Sequence, residues 1–154
     1  MVVAGAGIVG ACVAYESARA GLPVVLLDRG DRVPPATSRS FGWLGGTSGG
    51  DWPGASEDLR PFVLADHHRL AAEVPGIAHR WTGSLSWPSP ATAAPGQHLI
   101  DRAAVASMEP HLRDVPDSAL HIPTDGGLDP LTAVPALIRA AQALGGSGPW
   151  RSSS

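Results

Sequence analysis

The chain has 154 residues, 44% hydrophobic, 16% charged and 5% aromatic, with a formal net charge of -3. That apolar content supports one core, in which a domain of this size buries about 68–70% of its unfolded surface, so disorder and collagen-like repetition are excluded. The mildly acidic balance argues against a nucleic-acid or anionic-membrane partner, and the lone Cys12 excludes an internal disulfide framework or a Cys-rich zinc site.

No apolar run reaches the length of a membrane-crossing helix, so no integral membrane segment is expected. The apolar N-terminus, Met1 to Gly7, lacks a basic leader and is interrupted by regularly spaced glycines. It is therefore not a signal peptide, and a soluble cytoplasmic protein is the expectation. Val2-Val3-Ala4 predicts the end of a buried strand. Residues 8–20 predict a helix with Val9, Val13 and Ala14 on its apolar side, stopped by Gly21 at C′ and by Pro23. Val24 to Leu27 predicts a second buried strand, closed by Asp28 and a turn at Gly30. Two wholly apolar strands around a helix imply parallel pairing, cover on both faces and a right-handed crossover.

Residues 33–54 are rich in Pro, Ser, Thr and Gly and predict a long functional loop. A helix is expected from about Asp58 to Val74, with Glu57 and Asp58 near its start and Pro61 in its first turn. Residues 81–87 predict a strand, 101–108 a short helix and 120–122 another strand. Asp129 as N-cap and Pro130 at N1 open a helix to about Leu144, kinked at Pro135 and ended by Gly145-Gly146. Residues 147–154 are expected to be a disordered tail. Two parallel strands with one crossover helix leave sheet edges uncovered, and the sequence is expected to be truncated.

Gly5-Ala6-Gly7-Ile8-Val9-Gly10 fits G-x-G-x-x-G. The motif leaves a strand, enters a helix, and is followed eighteen residues after Gly10 by Asp28, close to the spacing of about 20 for a ribose-binding acid. Gly5 permits the tight turn, Gly7 lets a pyrophosphate approach the backbone, and Gly10 with Ala14 keeps helix and strand close. The helix N-terminus offers amides and partial positive charge to phosphates. Asp28 can accept from ribose hydroxyls and repels a 2′-phosphate, which disfavours NADP. The motif does not separate FAD from NAD, and a Gly-rich turn that binds nothing is the plain structural alternative.

Asp28-Arg29-Gly30-Asp31 and Pro35-Ala36-Thr37-Ser38-Arg39-Ser40-Phe41-Gly42-Trp43-Leu44 resemble the FAD-dependent oxidoreductases of the D-amino-acid oxidase, glycine oxidase and sarcosine oxidase family. The resemblance extends weakly through Met108-Glu109-Pro110 and Pro123 to Pro130. It implies an α/β fold in which a Rossmann-like FAD-binding βαβ unit with an incomplete parallel sheet (residues 1–55) precedes part of an α+β substrate domain (56–146). It implies that Gly5, Ala6, Gly7, Ile8, Val9, Gly10, Asp28, Arg29, Ala36, Thr37, Ser38 and Gly42 line the cofactor. It also implies a small-molecule amine or amino-acid substrate, whose C–H hydride passes to the flavin and leaves an imine that water hydrolyses. No catalytic residue is carried over, no metal is expected, and oligomeric state is left open. The sequence departs from the family at Ser17, where a large apolar residue is usual, in its clipped first strand and in its length. An NAD-linked dehydrogenase and a truncated, inactive remnant are the rival readings; the chain alone is expected to bind FAD weakly and to turn over no amine.

His67 and His68 point to different helix faces and do not pair on a metal. His98, His111 and His121 have no evident partner. Cys12 is read as a small packed residue rather than an activated thiol. The five tryptophans do not interleave with basic residues, which argues against a single-strand stacking platform. Trp43 either walls the cofactor site or packs as core.

Overall fold

A strand–glycine–helix corner needs few residues, because the glycines let the chain reverse without side-chain conflict. The computed structural model describes residues 1–30, 33–45, 58–59 and 61–145. It divides into two compact units: Met1–Gly42, Ala65–His79 and the segment from Leu128 on form the first, and Trp43–Leu64 with Arg80–Gly127 the second. The boundary expected at 55/56, the Glu57 helix start, Asp31, Trp52 and the 147–154 tail with Trp150 lie outside the described residues.

In the first unit, β1 (Val2–Ala4) and β2 (Val25–Leu27) pair in parallel, Val3 opposite Leu26, on either side of helix α1 (Ile8–Arg19). Helix α1 ends as its sequence predicts: Gly21 has φ +78°. The Gly21 N–H donates to the Ala18 carbonyl and the Leu22 N–H to that of Ser17, a Schellman closure.

Among the described residues, cover on both faces of the sheet is not found. Val3 and Leu26 are buried, while Val2 (65% exposed), Val25 and Leu27 are not. A strand points alternate side chains to opposite faces, and among the described residues only one face meets a helical layer. The apolar side of α1 holds at Ala14 and differs from expectation elsewhere. Val9 (74% exposed) and Val13 lie outward, and the buried stripe is Ala11, Ala14, Tyr15 and Ala18. These recur at i, i+3, i+4 and i+7, and their small alanines admit α5 (Pro130–Ala143) as the close neighbour. The core joins them to Val24, Val74, Val134 and Leu137.

Helix α5 opens as predicted, with the Leu131 N–H donating to the Asp129 carboxylate at 2.9 Å, and it runs through Pro135. Helix α3 spans Val63–Glu73, starting later than expected because Pro61 precedes the α-helical turns. Its Arg69 bonds Glu73 (2.8 Å) and, on α1, Glu16 (2.6 Å), while the Tyr15 hydroxyl donates to Glu73 at 2.8 Å. Burial would raise the Glu16 carboxyl, but the guanidinium bonds outweigh it and hold that group below its ordinary value.

The described part of the Pro/Ser/Gly loop is not structureless. It contains the four-residue helix α2 (Pro35–Ser38) and strand β3 (Trp43–Leu44). Strand β3 pairs antiparallel with β8 (Gly126–Leu128), in a three-stranded sheet of order β3-β8-β4, where β4 is His79–Arg80. A second antiparallel sheet has the order β5 (Ser84–Ser86), β7 (Ser118–Ile122), β6 (His98–Asp101). The strand expected over 81–87 is therefore short, and that over 120–122 begins earlier. The Asp101 carboxylate accepts the Ala104 N–H (2.9 Å) and opens α4 (Arg102–Met108), close to the expected helix. The β7 pairing sets His98 opposite His121, a juxtaposition the sequence does not show.

Candidate cofactor site

The site begins where β1 stops. Gly5 has φ +101°, open to glycine and costly to other residues. Its N–H donates to the Leu27 carbonyl at 2.7 Å, so the turn is tied to the end of β2. One residue on, the Ala6 N–H donates to Asp28 Oδ2 at 2.6 Å, and Oδ1 of the same carboxylate accepts the Gly30 N–H at 3.1 Å. The hydrogen bond from Ala6 is the leading reason that the Asp28 carboxyl lies below its ordinary pKa. Asp28 therefore faces the glycine corner as an anion.

Gly7 is the N-cap of α1, in an extended conformation and with no side chain to cap the helix. A side chain at Gly10 would run into the Gly5 carbonyl oxygen, so glycine is required there by helix–turn contact. The Ile8 N–H donates to Thr37 Oγ1 at 3.1 Å, and the first intrahelical bond is Ala11 N–H to the Gly7 carbonyl. Among the described residues the Val9 and Gly10 amides have no acceptor, which leaves the positive end of α1 open to an anion.

These groups border an open cleft of about 1430 Å³. Of the residues anticipated from sequence, Gly5, Gly7, Ile8, Val9, Gly10, Asp28, Arg29, Ala36, Thr37 and Ser38 line it. Ala6 takes part through its amide to Asp28. Gly42 and Trp43 do not line the cleft. Gly42 has φ +70°, its carbonyl accepts the Leu128 N–H, and a side chain there would meet the Leu128 carbonyl. Trp43 sits half-exposed on β3. Arg39, Val13, Val33, Pro34 and Pro35 line the cleft without having been anticipated. Arg39 follows α2 directly, and its place in Thr-Ser-Arg-Ser was the available signal.

The donors fit a dinucleotide diphosphate: free amides at a helix end, glycines without bulk, the Ser38 hydroxyl, and Arg29 and Arg39 on the walls. Other candidates carry less. Burial, with the Glu16 charge adding to it, raises the Cys12 thiol, in agreement with a packed rather than reactive residue. His67 Nδ1 lies 3.1 Å from His79 Nε2. That pairing was not legible from the His67-His68 dipeptide. Among the described residues no group of three metal-ligating side chains forms, and no helix is long and apolar enough to cross a membrane.

A family model of the FAD-dependent oxidoreductases (DAO) matches residues 1–147. The chain belongs to this FAD-dependent oxidoreductase family. No curated protein sequence matches the chain. Among solved structures it is similar to glycine oxidase from Bacillus cereus (17% identity, TM-score 0.72, covering 94% of this chain and 45% of that one). It is similar to L-amino acid deaminase from Proteus vulgaris (21%, 0.74, 94% and 38%). It is also similar to L-α-glycerophosphate oxidase from Mycoplasma pneumoniae with FAD bound (14%, 0.76, 94% and 42%). The chain thus spans less than half the length of these structures. The expected α/β fold and family hold, the cofactor of the family is FAD, and the NAD-linked alternative is not favoured.

Proposed function

We propose that the cleft holds the adenine-dinucleotide portion of FAD and that the protein serves an FAD-dependent oxidation of a small amine or amino acid. One observation carries this reading. The Asp28 carboxylate and the unengaged Val9 and Gly10 amides lie on one glycine-walled cleft, in a chain of an FAD-dependent family. Asp28 would take the ribose hydroxyls through the lone pairs its backbone donors leave. The open amides of α1, with Ser38, Arg29 and Arg39, would hold the diphosphate. Bound FAD supplies the electron acceptor for oxidising a carbon–nitrogen bond to an imine. The amine preference draws on the glycine oxidase and L-amino acid deaminase similarities. The proposal keeps residues 1–55 as the cofactor portion and 56–146 as carrying part of the substrate portion, with residues 65–79 and those from 128 on supporting the cofactor unit.

The test is the visible spectrum of the purified chain after incubation with FAD and gel filtration, with ADP as competitor. Retained flavin that ADP displaces supports the reading. No saturable, ADP-competed FAD binding in an equilibrium absorbance titration sinks it.

A further inference from the structure

We propose that Thr37 is the positioning residue of this anion site: it caps helix α1 from outside, at Ile8, and thereby keeps the Val9 and Gly10 amides available to a diphosphate. The inference rests on the dinucleotide reading above. A helix N-terminus ordinarily takes its cap from its own Ser, Thr, Asp or Asn, whose side-chain oxygen accepts from the N2 or N3 amide. In α1 those amides belong to Val9 and Gly10, the same ones a bound phosphate needs. A self-capping side chain at position 7 would therefore compete with the ligand. The chain has Gly7 instead, and a Cβ there would lie 3.0 Å from Thr37 Oγ1.

The missing cap arrives from 29 residues downstream. Thr37 is only 7% exposed, and its Oγ1 accepts the N1 amide of Ile8 at 3.1 Å. A hydroxyl that accepts through oxygen still has its proton to donate. Thr37 thus neutralises one orphan donor of α1 without spending the two beside it. It also pins α2 against α1, which sets the neighbouring Ser38 and Arg39 on the cleft wall. Loop and helix become one anion cradle through a single hydroxyl.

The full chain and its T37S and T37V variants test this with two measurements. Hydrogen exchange of the Ile8 amide is followed by NMR without ligand, and ADP and FAD affinities are measured by titration calorimetry. Expected are wild-type-like Ile8 protection and affinity in T37S, with faster Ile8 exchange and roughly tenfold weaker binding of both ligands in T37V. Far-ultraviolet circular dichroism confirms that each variant is folded. Unchanged Ile8 exchange in T37V overturns the assignment, as does a T37S variant as weak as T37V. If wild type binds and T37V binds equally well, the Thr37 role fails while the dinucleotide reading stands. If wild type binds neither ligand, the dinucleotide reading fails, and the Thr37 role with it.

Discussion

The two units use glycine for different ends. In the first, Gly5, Gly7 and Gly10 empty a strand–helix corner so that backbone amides and the Asp28 carboxylate face an open cleft. In the second, glycine closes space around a buried acid. Gly83 (φ +78°) donates its N–H to the Asp125 carbonyl at 2.9 Å, and a Cβ on Gly126 would sit 2.5 Å from the Arg80 carbonyl oxygen. Asp125 itself is wholly buried, with Oδ2 accepting the Ser84 hydroxyl at 2.7 Å and Oδ1 lacking a hydrogen-bond partner. The same residue type therefore leaves room for a ligand only where the polar groups it frees remain exposed. Where those groups turn inward, glycine signals packing.

Substitutions can break this contrast. The largest effect is expected from G10A, whose methyl meets the Gly5 carbonyl. It should cost about 1–3 kcal/mol, as overpacking does, and remove FAD retention, both read by urea unfolding and flavin absorbance. G126A faces a comparable backbone obstruction and should cost a similar amount while leaving FAD affinity of the folded protein unchanged. Equal loss of affinity in both variants would erase the distinction between the units.

Next comes D28A, which strands the Ala6 and Gly30 amides. Hydrogen bonds to a charged group contribute roughly 1.5–3 kcal/mol each, less here because Asp28 is exposed to solvent screening. ADP affinity should fall at least tenfold. Because the folded carboxyl lies below its ordinary value of 3.8, its stabilisation is complete above that pH and is lost as pH falls through the lower folded value. D28A should flatten that part of the acid-unfolding curve.

In the second unit, S84A leaves the Asp125 carboxylate without its hydroxyl donor. An unsatisfied buried group costs about 1–3 kcal/mol, so urea unfolding should shift by that amount with ADP affinity intact. The smallest effect belongs to His67 and His79. Burial, chiefly, lowers both rings below the ordinary 6.5, with the nearby Asp66 charge opposing it at His67. The folded chain then binds fewer protons than the unfolded chain as pH falls below about 6.5, and stability drops through the lower folded values. H67Q should reduce the fall in thermal midpoint as pH drops below about 6.5, and an unchanged slope would exclude the pair as its source.

Much of the corner was legible in the sequence, because its requirements are local. Gly5 needs a positive φ, Gly21 a left-handed C′, and Asp129-Pro130 a helix start, and each is a property of one or two residues. Asp28 was legible through its spacing. The outward turn of Val9 and Val13 was not, since every residue around them is apolar or small and periodicity admits more than one stripe. Short strands such as β6 and β8 escaped because pairing, rather than propensity, stabilises them. Gly42, expected at the cofactor from its loop, has a positive φ that serves the close approach of Leu128.

The amino-acid order alone determined that a strand, a glycine turn, a helix, a second strand and an acid follow one another at the spacing of a dinucleotide-binding motif, since backbone sterics and side-chain charge act within a few residues. Tertiary structure decided which face of α1 meets α5, that among the described residues one side of the parallel pair is uncovered, and that Thr37 reaches back to the Ile8 amide. Those outcomes depend on contacts between residues distant in sequence, whose energies come from burial and hydrogen-bond completion and leave no local pattern to read.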